Sequence, residues 1–443
     1  MENILRSIDP LTGEAIGSLP VSKPQDIQDM VEKAHKAQRV WSSKSLQERV
    51  QRLQQAYTKL NAEERELTQL ISREMGKDAR RAQYEAGGVV QGGAWLAGDA
   101  GDALRAKRSG GSEIQYRPLG VVAVISPWNY PLAMANNLIV PALVAGNAVI
   151  LKPSEESPLV ADLLVKILNQ TLPQDILQIA HGDGATGEAL VKSPINMVAF
   201  TGSRTTGQKI MANAAPALKR LVMELGGNDP MIVLQSANIP QAAQFAVGSS
   251  FENSGQMCTS TERIYVDEKI ADKFENAVVA LAKQYRVGGW QEPQVDIGPL
   301  VNHRQHRKVV EHIHDALNKG AKLLLGERDP QVPFIPPTVI SGIRPGMLVE
   351  DDETFGPIVA IDRFSSVDDV VERANNSVYG LGAVVFGESK QAEQVASQLQ
   401  AGMIGINQGA GGSPWVGAKQ SGFGFHGGAE GHRQFAQITV LNR

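Results

Sequence analysis

From residue 116 onward, short apolar runs alternate with helix-length segments, and no other feature of the sequence restricts the fold as strongly. The runs at 121–126, 148–152, 176–180, 197–201 and 221–224 read as strands, with helices such as 159–169 and 205–214 between them. Strands that are apolar throughout and joined by helical crossovers build a parallel, doubly wound sheet covered on both faces. A second alternating unit runs from 231 to about 407, with strands at 231–234, 264–267, 322–325, 358–364, 381–386 and 403–407. A last short strand is expected at 437–441. Ahead of this region the pattern reads as a hairpin, 4–8 and 15–19 about a turn at 9–13, followed by helices near 27–41, 46–60, 63–75 and 80–104. Ligands of open parallel sheets collect at the carboxyl ends of the strands, which points to 126–130, 152–155, 182–187 and 202–207.

One stretch tests this reading. Residues 118–151 carry no charge, which invites a membrane span. Yet Pro127, Pro131 and Pro141 would break a spanning helix, and Asn129, Asn136, Asn137 and Asn147 would lie unsatisfied in lipid. Strand, loop, helix and strand is the expectation. At 443 residues the chain calls for two or three domains. A formal net charge of -4 argues against nucleic acid or an anionic membrane as partner. Residues 1–20 hold scattered charges and no long apolar run, so no secretory signal is read there. The chain has one cysteine, which excludes an internal disulfide and a thiolate metal cluster and fits a reducing cytoplasm. His303, His306, His312 and His314 share a basic helix-like stretch, read as a solvated face; a zinc site would need a further ligand, with only Glu311 and Asp315 close by. No metal is expected.

Five places carry chemistry. Gly182-Asp183-Gly184-Ala185-Thr186-Gly187 follows a strand and opens a helix, as a dinucleotide-binding turn does, but the acidic residue expected about twenty positions on is missing. A plain glycine turn is the alternative. Gly202-Ser203 to Gly207 also joins strand to helix, and free N–H groups at that helix start suit a phosphate. Cys258 lies in a polar, glycine-containing loop beyond an apolar helix. A lone cysteine is commonly inert and buried, whereas a nucleophile needs a setting that favours the thiolate. Glu224 ends a strand before Leu225-Gly226-Gly227, where a carboxylate can serve as base or merely be solvated; Asn129, in a proline-rich turn, can donate to an oxyanion or bond its own backbone.

Six ordered segments then converge: Pro127-Trp128-Asn129-Tyr130-Pro131, Lys152-Pro153-Ser154-Glu155, Phe200-Thr201-Gly202-Ser203, Glu224-Leu225-Gly226-Gly227, Asn253-x-Gly255-Gln256-x-Cys258 and Glu353-x-Phe355-Gly356-Pro357. In this order and spacing the chain resembles the aldehyde dehydrogenase superfamily, over residues 8 to about 440. The resemblance implies an α/β fold of two doubly wound Rossmann-like domains, cofactor-binding and catalytic, with a small β oligomerisation element. Residues 1–102 and 120–224 would bind the cofactor, 225–408 would be catalytic, 409–431 would return to the first domain, and 103–119 with 432–443 would form the oligomerisation element.

It also implies roles. Cys258 would attack the aldehyde carbon, the Asn129 side chain and the Cys258 N–H would hold the oxyanion, and Glu224 would activate water against the thioester. Lys152, Ser154 and Glu155 would meet the adenosine ribose; Gly184 would lie near the adenine; Trp128, Phe200, Gly202, Ser203 and Leu225 would line the cofactor's path. Glu353 would contact the nicotinamide ribose beside Phe355. Tyr130, Met134, Asn137, Glu252, Met257 and Trp415 would surround the aldehyde. NAD is the expected cofactor, with NADP possible, because Glu155 suits a free ribose hydroxyl. The partner is a small-molecule aldehyde, with no nucleic acid and no membrane, in a cytoplasmic homodimer or homotetramer. The chain departs from the pattern after Ser421-Gly422, where Phe423-Gly424-Phe425-His426-Gly427-Gly428 replaces a common Gly-Arg. Two other readings remain. An acylating, coenzyme A-dependent relative typically lacks the glutamate at 224. A cysteine hydrolase without nicotinamide would want a histidine, and none lies in the motifs.

Overall fold

The structure is a computed structural model and describes residues 4–442, so residues 1–3 and 443 lie outside it. The charge-free stretch folds as expected: strand Val121–Ile125, helix Pro131–Val144 and strand Ala148–Lys152, nearly all of it buried. Among the described residues no helix is long and apolar enough to cross a membrane.

The first sheet has six strands, in the order Gly422–Phe423, Arg220–Leu225, Met197–Gly202, Val121–Ile125, Ala148–Lys152 and Leu177–Ile179. All are parallel except Gly422–Phe423, which runs antiparallel to Arg220–Leu225. Winding proceeds outward from Val121–Ile125, then reverses to Met197–Gly202, so a switch point opens between these neighbours. The predicted strands match to within a residue or two at each end. The helices Leu46–Leu60, Glu64–Met75 and Ala79–Ala103 pack into the same core as this sheet.

The second sheet has seven strands, in the order Lys322–Leu325, Thr338–Ser341, Ile358–Phe364, Thr261–Asp267, Asp229–Val233, Gly382–Phe386 and Met403–Ile406. Only the edge strand Lys322–Leu325 is antiparallel, and apolar clusters cover both faces. The strand Thr338–Ser341 is an addition to the sequence reading. A separate three-stranded antiparallel sheet joins Lys107–Ser109, Ser112–Pro118 and Ala436–Asn442. The expected α/β architecture of two doubly wound units and a small β element is therefore present.

The histidine-rich stretch needs correction. It is a helix, His303–Asn318, but His306 and His312 point inward rather than to solvent. His306 Nε2 lies 3.1 Å from the Phe334 carbonyl and His312 Nδ1 3.0 Å from Thr354 Oγ1. Burial lowers the His312 pKa to about 4, so both rings pack as neutral, hydrogen-bonded groups.

Candidate active site

The lone thiol sits on an unusual turn. Helix Ile239–Phe251 ends, and three successive residues take left-handed backbone: Asn253 (φ 51°), Ser254 (φ 58°) and Gly255 (φ 73°). Two of these are not glycine, a local cost that only surrounding bonds sustain. Asn253 Nδ2 donates to the carbonyls of Asn129 and Gln256, each at 3.1 Å, and Ser254 Oγ donates to Gly298 O at 3.1 Å. Gly255 is obligatory for a second reason: a Cβ there would stand 2.0 Å from the Gly356 carbonyl. The motif that brackets Cys258 thus encodes a rigid corner that delivers the thiol, half-buried, ahead of strand Thr261–Asp267.

Glu224, at the end of Arg220–Leu225, is buried. Its Oε1 accepts from Trp415 Nε1 at 3.2 Å, and its Oε2 has no hydrogen-bond partner. Burial pushes its carboxyl above the usual range, opposed by the neighbouring Cys258 thiol, the Thr201 hydroxyl and the Trp415 indole. Burial, and then the carboxylates of Glu224, Asp229 and Glu353, push the Cys258 thiol well up. Both shifts disfavour charge, so the thiol and the carboxyl each resist ionisation. Asn129 Nδ2 donates to Gln256 O at 3.0 Å, using one of its two N–H bonds.

All three groups line one cavity of about 960 Å³ that runs to the far side of the first sheet's carboxyl edge. Trp128, Lys152, Ser154, Glu155 and Gly184 line it, as do Phe200, Gly202, Ser203 and Leu225. So do Glu353 and Phe355, and Tyr130, Met134, Met257 and Trp415. Lys152 Nζ lies 3.3 Å from Glu155 Oε2. Ser203 Oγ accepts from Thr206 N at 3.3 Å, capping helix Arg204–Ala214 beside the cavity. Glu353 Oε1 accepts from Gly227 N at 2.9 Å; burial raises its carboxyl, which Lys308 tempers. Phe355, itself left-handed at φ 58°, meets Trp128 edge-on at 5.4 Å. The Glu262 carboxylate accepts from Thr354 N at 2.5 Å and Phe355 N at 2.8 Å, which fixes this loop.

Two expected pocket residues do not line this cavity. Asn137 lies on helix Pro131–Val144 and lines neither this cavity nor its neighbour. Glu252 lines a second cavity, and its Oε1 accepts from the Tyr130 hydroxyl at 3.3 Å. Trp415 is present but bonds Glu224 rather than standing free. Sequence reasoning missed Gln305 and Lys308, which line the main cavity from helix His303–Asn318. Gln305 Nε2 donates to the carbonyls of Thr354 and Phe355 at 3.1 and 2.9 Å. Their signal was the basic face of that helix, visible but without a partner until the Glu353 loop is placed against it. Asp229 was also missed, although it follows directly on Gly226-Gly227-Asn228.

The cavity fits a dinucleotide. Its volume spans the switch point, a capped helix begins at its wall, and three buried polar atoms facing it, Ser126 Oγ, Thr201 Oγ1 and Glu224 Oε2, have no partner in the protein. Such a cleft, leading to a lone thiol beside a buried carboxylate, suits a nucleotide-dependent oxidoreductase. Over residues 2–441 the sequence matches the family model of the aldehyde dehydrogenase family. It is 34% identical to a 3-sulfolactaldehyde dehydrogenase of Pseudomonas putida, over 98% of this chain and 92% of that protein. It is 33% identical to a probable succinate-semialdehyde dehydrogenase (NADP(+)) of Sinorhizobium fredii, over 98% of this chain and 91% of that one. The solved succinate-semialdehyde dehydrogenase of Burkholderia pseudomallei superposes with a TM-score of 0.95 at 33% identity, covering 99% of this chain and 94% of that one. The chain belongs to the aldehyde dehydrogenase family: it is an NAD(P)-dependent oxidoreductase that converts aldehydes to acids.

Proposed function

We propose that Cys258 is the nucleophile, Glu224 the base and Asn129 the oxyanion holder of a hydrolytic aldehyde oxidation. The observation that carries this reading is the meeting of the chain's only thiol with a buried carboxylate whose second oxygen has no protein partner, in one cavity. Sulfur bonds to the aldehyde carbon while its proton passes to Glu224 and the carbonyl electron pair moves to oxygen. The spare N–H of Asn129 and the Cys258 backbone N–H donate to that oxygen. The nicotinamide, when bound, supplies the acceptor for the hydride. Loss of the hydride leaves a thioester on Cys258. Glu224, its proton released, takes one from water; the water oxygen adds to the thioester carbon, the C–S bond breaks, and the acid leaves. A coenzyme A-dependent route is not favoured, because such relatives typically lack the strand-end glutamate that this chain has at 224.

Lys152, Ser154 and Glu155 are read as the adenosine-ribose contacts, with Gly184 near the adenine. Trp128, Phe200, Gly202, Ser203 and Leu225 line the path to Glu353 and Phe355 at the nicotinamide ribose. Residues 1–102, 120–224 and 409–431 form the cofactor-binding unit in this reading, and 225–408 the catalytic one. Residues 103–119 and 432–443 form the surface of a homodimer or homotetramer. A cytoplasmic setting keeps the single thiol reduced. Two relatives are named for aldehydes that carry an anion, one of them with NADP. For this chain NAD is preferred over NADP, since the Glu155 carboxylate accepts from ribose hydroxyls and repels a 2′-phosphate. A higher kcat/KM with NADP than with NAD overturns that preference.

Glu224→Gln keeps the shape and removes the base. The expected result is a burst of NADH near one equivalent per site, then a steady rate lower by about 10²–10⁴-fold. Mass spectrometry should find the acyl group on Cys258. Turnover at the wild-type rate with no trapped acyl species would reduce Glu224 to a strand-end residue.

A further inference from the structure

The thiol is approached by a second cavity, of about 570 Å³, on the side away from the first sheet. The residues on either side of the nucleophile, Met257 and Thr259, both line it. Met257 lines the main cavity too, so the two spaces adjoin at this residue. Its side chain is an unbranched thioether that can shift aside.

The lining of this space is distinctive in charge. Its uncharged polar groups include Gln244, Ser249, Thr259 and Asn407, whereas its charged side chains are only Asp229 and Glu252. No Lys, Arg or His lines it among the described residues. The cation that pairs with Glu252 is Arg81, itself held in a network: its Nε donates to Glu252, and its Nη1 donates to Asp78 and to the Asp296 carbonyl, each at 2.9 Å. Glu252 is thereby neutralised. Asp229 is only 3% exposed, and neither of its oxygens has a partner. A tail carboxylate entering here would lose its hydration with no free cation to replace it, a cost that buried unpaired ions do not recover. An ammonium would find one carboxylate already paired and the other nearly closed off.

One group is built to receive a ligand. Thr259 is 8% exposed, and its Oγ1 has no partner in the protein although it is buried at the cavity wall beside the nucleophile. Buried hydroxyls without a partner are rare, because the lost hydrogen bond costs about 1–3 kcal/mol. A hydroxyl or carbonyl oxygen on a bound aldehyde would satisfy it.

We infer that this second cavity is the subsite for the aldehyde's tail, that it takes an uncharged, hydroxyl- or carbonyl-bearing tail held by Thr259 Oγ1, and that it rejects a carboxylate. The inference rests on aldehyde oxidation at Cys258. It separates this chain from oxidation of a semialdehyde acid, because the cation that would bind the acid is locked in a pair.

The test is a matched substrate series followed by NADH absorbance at pH 8: propanal against 3-hydroxypropanal, and 4-oxobutanoate against its methyl ester. The ester should exceed the acid in kcat/KM by about tenfold or more, the size of one unfavourable charge placement. The hydroxyaldehyde should exceed propanal, and Thr259→Val should reduce that ratio by about five- to tenfold, as loss of one hydrogen bond does. An acid oxidised as well as its ester overturns the inference while aldehyde oxidation stands. A hydroxyaldehyde-to-propanal ratio unchanged in Thr259→Val removes Thr259 from the subsite. Faster oxidation of 4-aminobutanal than of the ester replaces the uncharged tail with a cationic one and also overturns the inference. Failure of every aldehyde to reduce the nicotinamide would instead overturn the proposed function.

Discussion

The indole of Trp415 bonds Glu224, the base of the proposed reaction, directly, and this is the most consequential single contact in the proposed site. Its Nε1 donates to Glu224 Oε1 at 3.2 Å, and its ring stacks on His426 with centroids 6.3 Å apart and planes 13° from parallel. Burial holds the His426 pKa down to about 4, so the stacked ring is neutral in the working range. A donor to the ionised form favours that form, and here it partly offsets the burial that raises the Glu224 pKa. Trp415→Phe keeps the stacked ring and removes the donor. The Glu224 pKa should then rise further, so the acid limb of kcat, where the base is protonated and deacylation fails, moves to higher pH. Below the shifted pKa, kcat should fall roughly tenfold, as expected for a hydrogen bond to a charged group. A limb that stays in place, whatever happens to KM, would make Trp415 only a wall of the pocket.

At the level of elements, the sequence was readable where the chemistry is local. Apolar strands followed by turn residues gave Ala148–Lys152, Lys322–Leu325 and Ile358–Phe364 without error, and the helix Leu46–Leu60 was read with its bounds; the structure adds the Ser45–Glu48 capping box at its start. Thr338–Ser341 escaped because it follows Pro336-Pro337 and is too short to show a period; only its pairing with Ile358–Phe364 makes it a strand. The helix His303–Asn318 was legible as a helix, but its histidines read as polar surface. A histidine is buried cheaply when a neighbouring acceptor satisfies its ring, and the acceptors at Phe334 and Thr354 are distant in sequence. The site divides in the same way. Cys258, Glu224 and Asn129 were singled out by contiguous motifs whose order resembles the family's, since each residue type alone left a structural role open. Asp229, Lys308 and the role of Thr259 depend on which segments meet, and no spacing along the chain encodes that.

For the whole molecule, the three-stranded sheet is separate from the two large sheets, although Ala436 and Tyr116 pack against the first core. Its strand Ala436–Asn442 is an edge, and Ile438 and Val440 on it are 52% and 55% exposed. An exposed apolar edge is a template for another chain unless it is covered. In the homo-oligomer proposed above this edge is the seam. Ile438→Glu with Val440→Glu should convert a particle of two or four chains into single chains by light scattering; an unchanged mass would place the seam elsewhere.

The segment that carries Trp415 also ties the two sheets together. Gly422 pairs with Glu224 on the first sheet, while Ser421 Oγ donates to Gly226 O at 2.7 Å and accepts from Gly380 N at 3.0 Å. During synthesis, strand Arg220–Leu225 leaves the ribosome long before this cover exists, so the nascent chain carries an open edge beside its future base. Closing it is one of the last and most nonlocal steps of folding. In the proposed reaction, hydrolytic competence therefore waits for this later segment: a chain released before residue 415 could present the thiol while lacking the clasp beside Glu224, and aldehydes would modify it without being turned over.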